Sequence, residues 1–436
     1  MYASTRLPVG AIAIASVAAL IHLPGPAWTV VVVGNVMLLG LLAYDVSAAP
    51  RPAALHVRRS APRVLSVGRT DTVSLHLHNP TRRRLTLTVR DATPPSLGRR
   101  PARHRLSIDP EAWAQVDAVL RPSRRGHSSV GPVTIRASGP MGLGGRQSTL
   151  PLMDAVRVYP ALPARAEIQL RVERARLLQT GERSSTVRGG GTDFDSLREY
   201  HPDDEFRRIN WQATARAAKP ITNVFREDRN QQVLLVLDIG RSMAGTVAGV
   251  SRFEYGLDAA VAIADLATRV GDQVGMAAFD GRIRVLVGPR AERGQPRRIL
   301  DALFAQEPSL EAANYTGAFA SVLSMHGRRS LLILLTELAD EAVLEPLFTS
   351  LPALLARHLV IVAAVADPDT EALARRRPAS SEDAYLKAAA AESTSGRRRS
   401  AARLGRLGAV VVDEPPSSLA GRLADQYLRI KAAGRL

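Results

Sequence analysis

The sequence predicts a multidomain chain with an N-terminal transmembrane helical hairpin, an immunoglobulin-like β-sandwich and a C-terminal doubly wound α/β domain. Three observations predict it. Two charge-free apolar runs, Leu7 to Leu23 and Ala27 to Tyr44, open the chain. Short segments of period-two alternation follow, the mark of half-buried strands. From Gln232 onward, fully apolar short runs alternate with helical stretches, as in a parallel sheet covered on both faces. The domain limits read from these changes are 1–50, 51–165, 166–230 and 231–436.

Each apolar run is near the short end of the roughly 17–25 residues that span a hydrocarbon core. Pro24-Gly25-Pro26 between them predicts a tight turn. Arg6 precedes the first run, while Arg51, Arg58 and Arg59 follow the second. By the positive-inside rule both outer ends are cytoplasmic. The expectation is a multi-pass protein of a bacterial inner membrane with its main body in the cytoplasm. A cleaved signal peptide is the competing reading of the first run, and it leaves the orientation of the main body unchanged.

The chain has 436 residues and a net charge of +17. Between Arg51 and Gly190 lie 25 arginines against nine acidic residues, so nearly all the excess sits just after the apolar segments. Such a surface suits anionic lipid headgroups. Nucleic acid is not expected as a partner, because no recognition motif or interleaved aromatic residues accompany the arginines. There is no cysteine, which excludes disulfides, thiolate catalysis and Cys-ligated metals.

The sandwich is read from Thr72–His78, Arg84–Arg90, Val133–Arg136 and Ala155–Tyr159, separated by turn signals such as Asn79-Pro80 and Gly139-Pro140. His76 and His78 share one face of a predicted strand, and a solvated strand face explains them better than a metal site. Gly189-Gly190-Gly191 follows a polar stretch and reads as a connector. No P-loop occurs in the chain, so ATP hydrolysis by this protein is not expected.

A dense polar string runs from Asp193 to Arg216. Asp193, Asp195, Arg198, Tyr200, His201, Asp204, Arg208, Asn210 and Trp211 are its candidate interaction residues. Two readings compete with catalysis. One is a structural knot in which Arg207, Arg208 and Arg216 pair with carboxylates and Trp211 packs as an anchor. The other is a docking surface. A hydrolase using His201 with Asp203 or Asp204 is disfavoured, since spacing shows no nucleophile–base arrangement.

In the C-terminal part, strands are expected at Val233–Leu237, Val274–Phe279, Ile283–Val287, Leu331–Leu335, Leu359–Val365 and Ala409–Val412. Helices are expected over Phe253–Val270, Gln295–Phe304 and Thr316–Met325. Such sheets bind ligands at the carboxyl ends of their strands. There Asp238-Ile239-Gly240-Arg241-Ser242 resembles the Asp-x-Ser-x-Ser loop of von Willebrand factor A-type domains, whose adhesion site holds a divalent cation. The resemblance implies a Mg2+ or Mn2+ site drawn from Asp238, Gly240, Ser242, Thr316, Glu337 and Asp340. Gly240 departs from it by lacking a hydroxyl. Glu337 stands after Thr336 where the family usually has aspartate, with Asp340 as the other candidate. The competing reading gives Asp238 and Ser242 capping and loop-bracing roles.

The whole chain resembles domain-of-unknown-function family fifty-eight, von Willebrand A-type proteins associated with MoxR-type AAA+ ATPases. The most specific match is Phe194-Asp195-x-Leu197-Arg198-x-Tyr200, followed by Arg207-x-Ile209-x-Trp211, with Asp203 where the family often has glycine. Arg124-Arg125-Gly126, Gly131-Pro132-Val133 and Pro140-Met141-Gly142-Leu143 also fit. The resemblance implies no enzyme. It implies a membrane-anchored adaptor or chaperone cofactor that binds a MoxR-type ATPase and client proteins. A cell-envelope scaffold working without an ATPase is the alternative.

Overall fold

Residues 2–3, 6–20, 27–98, 103–164, 168, 193–201, 206–226, 231–325 and 328–433 are described in the computed structural model. They divide into two units, Met1–Ala161 and Leu162–Leu436. The expected Pro24–Pro26 turn and the Gly189–Gly191 connector lie outside the described residues.

The apolar N-terminus forms α1 (Arg6–Leu20) and α2 (Ala27–Ala48). Only the stretch Val31–Ala54 is, among the described residues, long and apolar enough to cross a membrane. The two-pass expectation is therefore corrected to one candidate span.

Ahead of α1, β1 (Tyr2–Ala3) pairs with a strand of the sheet that follows α2, placing Tyr2 opposite Gly145. Near the end of α2, Asp45 is fully buried. Its Oδ1 accepts the Met141 N–H at 2.7 Å, and its Oδ2 accepts those of Leu143 and Gly144 at 2.8 and 2.9 Å. A carboxylate is disfavoured at the negative end of a helix; here three backbone donors compensate it. A Cβ on Gly144 would stand 2.6 Å from Leu42 Cδ1 and 2.8 Å from Val46 Cγ2, so glycine is what lets α2 lie against the sheet.

Ten further strands complete this unit: β2 (His56–Ser60), β3 (Val64–Ser66), β4 (Asp71–His78), β5 (Leu85–Asp91), β6 (Arg103–Ile108), β7 (Trp113–Leu120), β8 (Gly126–Val130), β9 (Val133–Ser138), β10 (Gly144–Leu150) and β11 (Asp154–Tyr159). They form sheets ordered β1-β10-β9-β5-β6, β2-β4-β7 and β3-β11-β8. The alternation of β4 sends Val73, Leu75 and Leu77 inward. Leu75 and Leu77 meet Leu87, Val89 and Ile135 of the five-stranded sheet, while Val73 meets Leu65, Leu120 and Val156.

One residue ties the three sheets together. Arg59 of β2, with a side chain 1% exposed, bonds Asp91 Oδ1 of β5 at 2.6 Å and Asp154 Oδ2 of β11 at 2.9 Å. It also donates to the carbonyls of Val130, Gly131 and Leu152. On the open face of β4, His78 lies between His56 and Trp113, with ring centroids at 5.7 and 4.7 Å.

The second unit begins, within its described strands, with the hairpin β12 (Asp193–Glu199) and β13 (Ile221–Arg226), joined through α3 (Trp211–Ala217). Beyond it lies a sheet of β14 (Gln232–Asp238), β17 (Gln273–Phe279), β18 (Ile283–Arg290), β19 (Leu331–Leu335), β20 (Leu359–Val365) and β21 (Val410–Glu414), in the order β18-β17-β14-β19-β20-β21. The two-residue strands β15 (Thr246–Val247) and β16 (Val250–Ser251) form a small hairpin after β14. The sheet is parallel except for its edge, where β18 runs antiparallel to β17. This departs from the all-parallel expectation. Three residues join β17 to β18, too few for the crossover a parallel pair needs.

The helices are α4 (Arg252–Val270), α5 (Gln295–Leu303), α6 (Tyr315–Met325), α7 (Glu341–Leu355), α8 (Pro368–Arg375), α9 (Ser381–Leu407) and α10 (Leu419–Ala432). Val233, Leu235 and Leu237 face α4, α5 and α10 on one side of the sheet. Leu234 and Val236 face α6 and α7 on the other. Because both faces are covered, each strand reads as an unbroken apolar run.

Candidate functional site

In this strand order the chain reverses direction across the sheet between β14 and β19. Ligands of open α/β sheets bind at such a switch point, beyond the carboxyl ends of the strands. Asp238 ends β14 there, and Thr336-Glu337 follows β19.

Asp238 is fully buried. Its Oδ1 accepts the Gly240 N–H at 2.7 Å. Its Oδ2 accepts the hydroxyls of Thr336 at 2.7 Å, Tyr315 at 3.2 Å and Ser242 at 3.5 Å. Burial pushes its pKa up, and the Thr336, Gly240, Tyr315 and Ser242 bonds oppose the rise. Burial, and then the Asp238 charge, push the Tyr315 phenol well above its ordinary value, so it stays a neutral donor.

Glu337 lies beside this cluster, 2.9 Å from Arg252 Nε and 2.5 Å from Arg397 Nη1. Arg397 also grips Asp413 of β21, with Nε at 2.8 Å and Nη2 at 2.5 Å. Burial raises the Glu337 pKa, and the Arg397 and Arg252 charges pull it back. The rim is thus a continuous ionic chain joining α4, the turn after β19, α9 and β21.

The six residues expected around an ion are therefore only partly together. Asp238, Gly240 and Ser242 share the first loop. Thr316 turns outward to an exposed bond with Ser350 Oγ at 2.7 Å. Asp340 caps α7 through the Ala342 N–H and meets Arg399 at 3.4 Å. A Cβ on Gly240 would stand 3.0 Å from both Asp238 Oδ1 and the Glu311 carbonyl, so the position of the missing hydroxyl is filled by the loop packed on it.

A hard divalent ion needs several oxygens with free lone pairs. Here the Asp238 carboxylate already takes four donors, and two guanidiniums neutralise Glu337. Among the described residues, no group of three or more His, Asp or Glu side chains is placed to hold a metal. The residues present do not fit the ion. Titrating the protein with millimolar Mg2+ or Mn2+ is expected to give no heat and no change in melting temperature; a rise of several degrees would overturn this.

The sequence reading passed over Tyr315, Arg252, Arg397 and Asp413. Tyr315 is adjacent to the chosen Thr316, and the helix turns about 100° between them. The two basic side chains are placed by contacts distant in sequence, and no local spacing announces them.

The polar string forms a second candidate surface. Asn210 caps α3 by accepting the Ala213 N–H at 3.0 Å and donates to Asn223 Oδ1 at 3.0 Å. Arg198 donates to the Glu199 carbonyl, and the Tyr200 N–H reaches the Pro220 carbonyl. His201 is exposed. Asp193, Asp195 and Arg208 are placed by their backbone alone, and Asp204 lies outside the described residues. Trp211 does not pack as an anchor. It is 61% exposed, and Phe206 beside it is 67% exposed. Their rings meet edge to face at 5.7 Å.

Comparison with known proteins gives a match over a region that takes in Phe206, Trp211, Asp238, Glu337 and Arg397 but not Asp413. An uncharacterized protein of Mycobacterium bovis is 26% identical over 192 residues, covering 43% of this chain and 59% of its own length. A Mycobacterium tuberculosis protein, also uncharacterized, matches to the same extent. The chain thus spans about three fifths of these relatives. A solved structure, the conserved hypothetical protein BatB from Bacteroides thetaiotaomicron, aligns at 17% identity over 46% of this chain and 98% of its own, with a TM-score of 0.32. Residues 196–398 match the family model described as "Protein of unknown function DUF58".

Proposed function

We propose that this protein binds other proteins from a membrane anchor and turns over no substrate itself. In this reading it is an adaptor or chaperone cofactor for a MoxR-type AAA+ ATPase and its clients. The first unit is an immunoglobulin-like domain held at the inner membrane, and the second is a von Willebrand A-type domain facing the cytoplasm. The edge-to-face pair of Phe206 and Trp211 is the observation that carries this reading. Two large aromatic side chains exposed together, within the matched family region, are what protein interfaces use as anchors. Leu310 adds a second apolar projection, 82% exposed, on the loop bonded to the Asp238 strand end.

The strand-end cluster supports binding over catalysis, since Asp238 is occupied by four internal donors and Glu337 is ion-paired with Arg252 and Arg397. Partner recognition in this proposal requires no divalent ion.

The test is affinity capture from detergent-solubilised membranes with the full chain, with and without nucleotide. Wild type is expected to recover an AAA+ ATPase. Trp211→Ala is expected to weaken that capture by roughly thirty-fold, the effect of removing a hot-spot aromatic worth about 2 kcal/mol. Capture of envelope proteins with no ATPase would replace the adaptor reading by the scaffold. Unchanged capture by the Trp211→Ala, Phe206→Ala double variant would remove the aromatic surface from it.

A further inference from the structure

A cleft of about 520 Å³ opens where the end of α2 meets the edge of the five-stranded sheet. Leu39, Leu42, Ala43 and Val46 line one side, with Tyr2 and Arg146 on the other. We propose that this cleft binds an anionic phospholipid, one acyl chain against the leucines and the phosphate on Arg146. The inference rests on the reading of α2 as a membrane helix.

Depth along the helix supports it. Tyr44 stands near the C-terminal end of α2. Tryptophan and tyrosine favour the two membrane–water interfaces, and Tyr44 is 60% exposed. Leu39, Leu42 and Ala43 then lie just inside the hydrocarbon. Arg146 lies at headgroup level, since its Nε donates to the Val46 carbonyl at 3.1 Å and its Nη2 to the Ser47 carbonyl at 3.4 Å. Those bonds hold the guanidinium at the mouth of the cleft.

Charge points the same way. No lining residue is acidic. The nearby Asp45 is fully buried and occupied by three backbone donors. Arg136, stacked 5.0 Å above the Tyr2 ring, adds a second positive charge on the neighbouring strand. An apolar slot ending in a cationic mouth at the interface matches a lipid with an anionic head. A zwitterionic one would leave its own cation against Arg146.

The experiment uses the full chain purified in neutral detergent and exchanged into mixed micelles of phosphatidylglycerol or phosphatidylcholine, with retained lipid quantified after washing. Wild type is expected to retain phosphatidylglycerol about fivefold better, the effect of one arginine near an anionic surface. Millimolar inorganic phosphate should not displace it. Arg146→Gln is expected to abolish the preference. Leu39→Trp, on the exposed lip of the slot, keeps the charge and should lower retention of both lipids. Equal retention of the two lipids by wild type, displacement by free phosphate, or an unchanged preference in Arg146→Gln would overturn the site. Release of the protein from membranes by alkaline carbonate would instead remove the membrane reading on which it stands.

Discussion

Arg397→Ala is expected to destabilise the C-terminal unit by about 3–5 kcal/mol, the cost of removing one partner from a buried ionic group. The Arg397 side chain is 13% exposed, and it holds Glu337, 12% exposed, and Asp413, 24% exposed. Its loss strands two carboxylates beside one remaining guanidinium, that of Arg252. Hydrogen exchange at the amides of β19 and β20 measures the effect. The deficit should also depend on pH. Burial already holds the Glu337 pKa above its ordinary 4.5, against the pull of Arg397 and Arg252. Without Arg397 it rises further. A carboxyl whose pKa is raised on folding binds its proton more tightly in the folded state. Its penalty is therefore present at neutral pH and fades as pH falls through the raised value. The gap between wild type and variant should narrow as pH falls below neutral. A gap that widens there would show that Glu337 is not the group left exposed to the penalty.

Arg59→Met should cost the β-rich unit a comparable 3–5 kcal/mol. Methionine nearly fills the volume, so the loss isolates charge and hydrogen bonding from packing. It takes the Arg59 guanidinium from Asp91, whose side chain is 8% exposed, and from three carbonyls. Adding Asp91→Asn should recover about 1 kcal/mol, because a buried amide costs less than a buried charge that has lost its cation. Hydrogen exchange in β4 and β5 reads both variants. If the double variant is no more stable than the single one, the carbonyl bonds rather than the ion pair hold the sheets.

Where a strand is buried on both faces, its sequence is a plain record of its environment. Leu331–Leu335 and Leu359–Val365 are strands with the limits their composition suggests. α4 and α5 begin or end within one residue of their expected limits. β18 is half exposed along an edge, and its direction follows from the three-residue link that no apolar pattern expresses. The 27 residues of α9 are mostly polar with a thin buried seam, so their periodicity is faint.

The site was legible in location and illegible in content. Asp238 at the end of an apolar run marks the strand end in any α/β sheet. What surrounds it is set by Tyr315, 77 residues away, and by Arg397, 60 residues from Glu337. One helical position separates the inward Tyr315 from the exposed Thr316, and that rotation decides whether a hydroxyl meets the carboxylate or solvent. Trp211 posed the same difficulty in reverse. Its spacing suited either a packed anchor or a docking group, and only its surroundings distinguish them.

The three bonds to Asp45 turn α2 and the β-rich unit into one mechanical body. A domain on a slack tether wanders over a hemisphere and must give up that freedom each time it docks. With α2 across a bilayer, as proposed above, this unit would inherit its tilt and keep a fixed height above the lipid. Anything meeting its faces is met in a preset orientation, by a search confined to two dimensions. Asp45→Ala would remove three of the bonds that fix α2 to the 141–144 turn and loosen that joint, while the Arg146 bonds to Val46 and Ser47 remain.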